Sequence, residues 1–172
     1  MILKLVKSLF LTASLFFLLT TAQANTDDVE AQFNLGIMYQ EGNVVPQDYK
    51  QAVRLFTKAA ELGHINAQFN LGIMYEKGNG VPQDYKQAVY WYTQAAEQGD
   101  TDAQNNLGVM YGNGYGVSKD FVVAYAWWNI AAAQGLEDAR ANRDIAEKEM
   151  TPKQLEKAQE LSKVYYKKYA IK

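Results

Sequence analysis

The chain has 172 residues, a formal net charge of −2, no Cys and a single His, His64. That composition excludes a disulfide framework and any zinc centre built from Cys and His. It also lacks the basic excess that neutralises phosphates, so nucleic acid is not an expected partner. The first segment reads as an export signal and not as part of the fold. Lys4 and Lys7 give a basic start, Ser8 to Thr20 an uncharged apolar run, and Ala22-Gln23-Ala24 the small residues a signal peptidase reads. Residues 1–24 are therefore expected to be a signal peptide cleaved after Ala24, which places Asn25 to Lys172 in the periplasm or outside the cell. The alternative, an uncleaved anchor, needs ~20 apolar residues, and the run is shorter. No membrane span is expected after cleavage, and no Cys follows the site to carry a lipid. The mature body is acidic and its C-terminal stretch, residues 140–172, is basic. A basic stretch of this kind is expected to be a solvated helix face.

An internal repeat with a period of 36 residues follows: 25 of 36 positions are identical between 31–66 and 67–102. Ala31-Gln32-Phe33-Asn34-Leu35-Gly36 returns as Ala67 to Gly72, and as Ala103-Gln104-Asn105-Asn106-Leu107-Gly108. Each unit predicts two helices. The first runs from about Glu30 to Gln40 and stops at Gly42, as its equivalents stop at Gly78 and Gly114. Val45-Pro46, Val81-Pro82 and Val117-Ser118 then extend the chain. Asp48, Asp84 and Asp120 are expected to cap the second helices, with Gln51 and Gln87 completing capping boxes. Those helices end before Gly63, Gly99 and Gly135. Gly36, Gly72 and Gly108 lie inside first helices, where Gly costs ~1 kcal/mol against Ala. Close approach of the partner helix at Ala52, Ala88 and Ala124 is the expected compensation. Phe56, Tyr92 and Trp128 share one position and are expected to fill the core between units. Val44 stands where later units have Gly80 and Gly116. Either the first loop differs or the first unit is strained. Asn34, Asn70 and Asn106 repeat in register and are expected to tie the inter-helix loops, the other reading being a row that grips a peptide backbone.

The pattern A-Q-x-N-L-G-x-M-Y-x-x-G-x-x-V, then D-[YF]-x-x-A-[VY], then A-A-x-x-G, resembles the Sel-one-like repeat, a relative of the tetratricopeptide repeat. The resemblance implies an all-α fold: a short right-handed α-solenoid of helix-turn-helix repeats with a C-terminal capping helix. Three repeats occupy 28–138, at about 31–66, 67–102 and 103–138. Residues 139–172 read as a partial fourth repeat and the capping helix. In the fourth unit Arg143 and Asp144 replace the Leu-Gly pair. Leu155, Ala158, Leu161, Ser162, Tyr165 and Tyr169 give the last helix an apolar stripe.

The resemblance further implies a protein-protein interaction module that binds an unknown protein or peptide, with no cofactor and no metal. In the related arrangement the first helices line a concave face. Phe33, Ile37, Phe69, Ile73, Asn105 and Val109 would then line a groove rimmed by Gln40, Glu41, Glu76, Lys77 and Asn113. The same stripe could instead pack between adjacent units. Self-association as an envelope scaffold is a second reading, because only Thr26, Asp27 and Asp28 precede the first helix. Some cysteine-rich relatives are described as β-lactamase or penicillin-binding proteins. This chain lacks their cysteines. Its mature part has only Ser118 and Ser162 as seryl groups, neither in a Ser-x-x-Lys or Gly-x-Ser-x-Gly setting, so catalysis is not expected. Gly78-Asn79-Gly80 and Gly114-Tyr115-Gly116 lack the flanking strand and Lys of a phosphate loop. His64 is expected in an inter-unit loop, solvated or locally hydrogen-bonded.

Overall fold

The computed structural model describes residues 28–170. The signal segment, Thr26 and Asp27 lie outside the described residues, and Asp28 is already helical. Among the described residues there are eight helices and no strand. The first, α1, covers 28–41. It is followed by α2 (Tyr49–Glu61), α3 (Ile65–Lys77), α4 (Tyr85–Glu97), α5 (Thr101–Asn113), α6 (Phe121–Ala133), α7 (Glu137–Lys148) and α8 (Pro152–Tyr169). Each first helix also packs on the second helix of the preceding pair, which makes the chain an α-solenoid.

Local chemistry sets the helix ends. Asp48, Asp84 and Asp120 each accept two backbone N–H groups from the first turn they cap. The expected boxes through Gln51 and Gln87 do not form. The backbone N–H of Asp48 already donates to Tyr39 O at 2.9 Å, and that of Asp84 to Tyr75 O at 2.9 Å, so neither leaves a donor for a returning Gln. The reciprocal box is made instead by Thr151 and Gln154 at the start of α8. The loops are not tied by Asn34 or Asn70. Asn34 bonds Glu30 and Asn70 bonds the Asn66 carbonyl, both one turn back on their own helix. Gln47 and Gln83 tie the loops, donating to Gln40 O at 2.8 Å and Glu76 O at 2.7 Å.

Within each pair the first helix comes close to an aromatic ring, not to an alanine. A Cβ added to Gly36 would lie 2.6 Å from Phe56 Cε1, and one on Gly72 or Gly108 would overlap Tyr92 or Trp128. Ala52, Ala88 and Ala124 are buried, but the bare glycine backbone receives the ring. The residue one turn further along the first helix matches that ring. Tyr92 donates its hydroxyl to Glu76 at 2.5 Å. Trp128 reaches so far that a Cβ on Gly112 would come within 2.8 Å of its Cη2. Phe56 has no hydroxyl, and Gln40 Oε1 is buried with no donor.

Between pairs a glutamine ladder repeats. Gln68 Nε2 donates to Ala60 O at 3.1 Å, and Gln98 Nε2 donates to Gln68 Oε1 at 2.7 Å. Gln104 and Gln134 repeat the arrangement one unit later. In the first unit Leu62 stands where Gln98 and Gln134 stand, so Gln32 Oε1 is buried without a partner. Gly80 and Gly116 have φ of 76° and 71°, and a Cβ there would strike the Tyr49 or Tyr85 carbonyl of the preceding pair. Val44 meets no such neighbour. Among the described residues no residue other than Gly has positive φ, so the first loop takes a different conformation and leaves Val44 exposed.

The C-terminal end departs from the repeat. Helix α7 packs on α6 as a first helix should, but α8 does not complete a pair with it. Instead α8 lies along α6 and reaches α4. Ala158 and Ser162 are its buried residues, and Tyr165 and Tyr169 pack on the central core cluster.

Leu62→Gln should supply the missing donor to Gln32 and raise unfolding stability by ~1 kcal/mol in urea titrations. Tyr92→Phe should lower it by about 1–3 kcal/mol by stranding Glu76, and adding Glu76→Gln should recover part of that loss, as a double-mutant cycle in the same assay would show.

Candidate functional site

Every unit presents the same stripe on its first helix, and its neighbours decide how much stays free. Phe33 is half-buried, 5.7 Å from the Phe56 ring and stacked on His64 at 4.4 Å. Phe69 lies 5.9 Å from Tyr92. Ile37, Ile73 and Val109 are half-buried against the core clusters of their units. Asn105 accepts from Asn142 at 3.2 Å, and its carbonyl accepts from Trp128 Nε1 at 3.1 Å. Most of the stripe in the first two units is thus engaged in packing.

The rim residues divide in the same way. Glu76 is held by Tyr92, and the Gln40 carbonyl by Gln47. Lys77 is exposed, as is Glu41, which accepts from Asn43. Asn113 is exposed and donates to Val109 O on its own helix at 3.0 Å.

Toward the C-terminal end the stripe borders a groove. A cavity of about 470 Å³ brings Val109 and Asn113 together with Asn142 and Ile145 of α7, and with Glu149 just beyond its end, over the Trp128 ring. Lys119 and Phe121 close its other side, the ammonium 4.6 Å from the ring centroid. Ile145 is 60% exposed, an apolar residue on a helix otherwise mostly polar outside its buried alanines. The contribution of α7 was not read from sequence. Its signal is Ile145, which stands one 36-residue period after Val109 and so continues the row of Ile37, Ile73 and Val109 into the fourth unit.

His64 stands between the first two units and is locally hydrogen-bonded, one of the two settings expected for it. Its Nδ1 accepts from Ala67 N at 3.2 Å as the cap of α3, and its Nε2 pairs with Glu30 at 3.1 Å. Asp100 caps α5 at the matching position, accepting from Ala103 N at 2.7 Å. Burial pushes the Asp100 carboxyl above the usual carboxylate range, outweighing the Ala103 hydrogen bond, and Asp102 adds to the rise. Burial, then Glu76, pushes the Tyr92 phenol far up, so it stays a donor, and Asn106 also bonds it. Ser162 is buried and donates to Ala158 O at 2.7 Å, while Ser118 is exposed in a connector. Among the described residues no group of three or more His, Asp or Glu side chains could hold a metal.

A family model, the Sel1 repeat, matches residues 29–64, 65–100 and 101–136. Three solved structures are similar. One is a protective antigen of uropathogenic Escherichia coli strains displaying an SLR fold, at 43% identity and TM-score 0.79 over 87% of this chain. This chain spans only 32% of that protein's length. A Sel1 repeat protein from Oxalobacter formigenes is 41% identical over 72% of this chain and 93% of its own, with TM-score 0.64. Helicobacter pylori cysteine rich protein B is 30% identical over 70% of this chain and 92% of its own, with TM-score 0.56. A search of curated proteins returned no match.

The raised Asp100 pKa has a definite sign. The protonated form is favoured by folding, so its contribution to stability is full below the unfolded pKa and is lost as pH rises through the folded one. Asp100→Asn keeps the cap without the charge. It should raise Tm at pH 7, and the gain over wild type should vanish at about pH 3, as calorimetry at both pH values would show.

Proposed function

The chain belongs to the Sel1 repeat family, and on that basis we propose that it is an exported interaction module binding a partner peptide or protein along its first-helix face. Sel1 repeats are a helical repeat architecture that generally serves protein association. The groove between α5 and α7 carries the reading. It joins the predicted Val109 and Asn113 to the exposed Ile145 over an aromatic floor, with Lys119 and Glu149 supplying both signs of charge at its edge. An apolar centre with a polar rim suits an amphipathic segment of another chain. Export rests on the Lys4 to Ala24 pattern. No helix among the described residues is long and apolar enough to cross a membrane.

A second reading, self-association as an envelope scaffold, has its own observation. Leu35 and Met38 are 39% and 38% exposed, whereas their equivalents Leu71 and Met74, at 0% and 2%, are covered by the preceding pair. A second copy could cover them.

Crosslinking in intact cells, with the exported protein as bait, separates the two. The recovered protein should begin at Asn25 and carry a partner that is lost on Ile145→Asp, with Tm unchanged because Ile145 is exposed. A partner retained by that variant overturns the groove reading. Crosslinks to the protein alone, lost on Leu35→Asp, establish the scaffold in its place.

A further inference from the structure

A different groove, of about 560 Å³, lies between the end of α2 and α4, with Glu61, Gly63, Gln68, Trp91 and Gln94 in its lining. Moved one repeat along, those positions become Glu97, Gly99, Gln104, Trp127 and Ile130. There the last turns of α8 fill the space. Tyr165 and Tyr169 lie against Trp127, with ring centroids 4.6 and 5.4 Å away. Gln104 Nε2 donates to the Tyr169 carbonyl at 3.1 Å, and the Tyr169 hydroxyl donates to Glu97 at 2.9 Å.

Each of these anchors has a counterpart in the open groove: Trp91 for Trp127, Gln68 for Gln104 and Glu61 for Glu97. Gln68 and Gln104 both donate to a carbonyl of the preceding helix end, Ala60 and Ala96. The second N–H of Gln104 goes to α8. That of Gln68 has no acceptor among the described residues, although the residue is only 4% exposed. A buried amide hydrogen aimed into a groove is worth a partner's carbonyl. Charge points the same way. Glu61 and Glu97 both line the groove, and the helix that fills its equivalent has five Lys against two Glu.

We propose that this groove is a second docking site, taking an amphipathic, net basic helix of a partner protein that presents two aromatic residues one turn apart. The partner sits as α8 sits one unit later: aromatic rings on Trp91, a hydroxyl on Glu61, a carbonyl on Gln68. Tyr90 and Gln94 stand where the filled groove has Ala126 and Ile130, which are fully buried under α8. The open groove is accordingly polar enough to stand uncovered, as a reversible site must. It lies between the second helices α2 and α4 with Gln68 of α3 in its lining, apart from the groove at Val109 and Ile145, and does not depend on the reading given for that groove.

The resident helix supplies the probe. A fluorescently labelled synthetic peptide of residues 152–170 is titrated with the whole mature chain and followed by anisotropy. Saturable binding at one peptide per chain is expected. Replacing Tyr165 and Tyr169 of the peptide by Ala should weaken it by about tenfold or more. Gln94→Arg in the protein should remove binding at unchanged Tm. Tyr90→Ala with Gln94→Ile, which copies the filled groove, should tighten it by about tenfold. No saturable binding by the wild type or the copied groove overturns the proposal. So does binding that survives Gln94→Arg, because the peptide would then be displacing α8. A dimer of the protein alone that Gln94→Arg dissolves would make a second copy the occupant and overturn the partner helix.

Discussion

Each helix pair is held at short range by an aromatic ring lying on bare backbone. Phe56 on Gly36, Tyr92 on Gly72 and Trp128 on Gly108 leave no room for a Cβ. A glycine inside a helix is intrinsically unfavourable, and here the cost is offset by dispersion contact with the ring atoms that reach its backbone. Because that contact fixes the distance between the helices, the next residue facing the ring must suit it. Glu76 accepts the Tyr92 hydroxyl, and Gly112 gives way to Trp128. Gln40, opposite a phenylalanine, is left with an orphan oxygen. The three units are thus variations on one packing problem, solved best in the second and third.

The units are joined by polar contacts as well as by core. The Gln68 and Gln104 ladders put buried hydrogen bonds into the two seams between the three units, which fixes register where apolar contact alone would slide. Both orphaned buried oxygens among the described residues, on Gln32 and Gln40, fall in the first unit. That unit also exposes Leu35, Met38 and Val44. The opposite end is closed by α7 and α8, with Tyr165 and Tyr169 sealing against Trp127. Among the described residues the two ends are therefore unlike: α7 and α8 close one, and the other leaves apolar side chains exposed.

This asymmetry decides where grooves stay open. Where the repeat is regular, first-helix side chains are used up in packing, and where it breaks at α7 a groove remains over Trp128. On the second-helix side the opposite holds: the irregular helix α8 fills one groove and leaves its repeat-mate open at Trp91.

The sequence by itself determined the period, the two helices per unit, the caps at Asp48, Asp84 and Asp120, and the α-solenoid, because these follow from local backbone chemistry and a repeated pattern. It also marked Gly36, Gly72 and Gly108 as sites of close approach. It did not tell what approached them, since Ala52 and Phe56 lie one helical turn apart and only the tilt of the pair decides which faces the glycine. It singled out Val44 as anomalous, but the reason is tertiary: Gly80 and Gly116 are needed only against the carbonyl of a preceding pair, which the first unit lacks among the described residues. Helix α8 carried a legible apolar stripe, yet its course along α6 and not beside α7 is set by contacts with Trp127, Gln104 and Glu97, residues 35 and more positions away. Local spacing encodes an element and its faces. Which face meets which neighbour is decided by long-range packing, and both grooves are products of that decision.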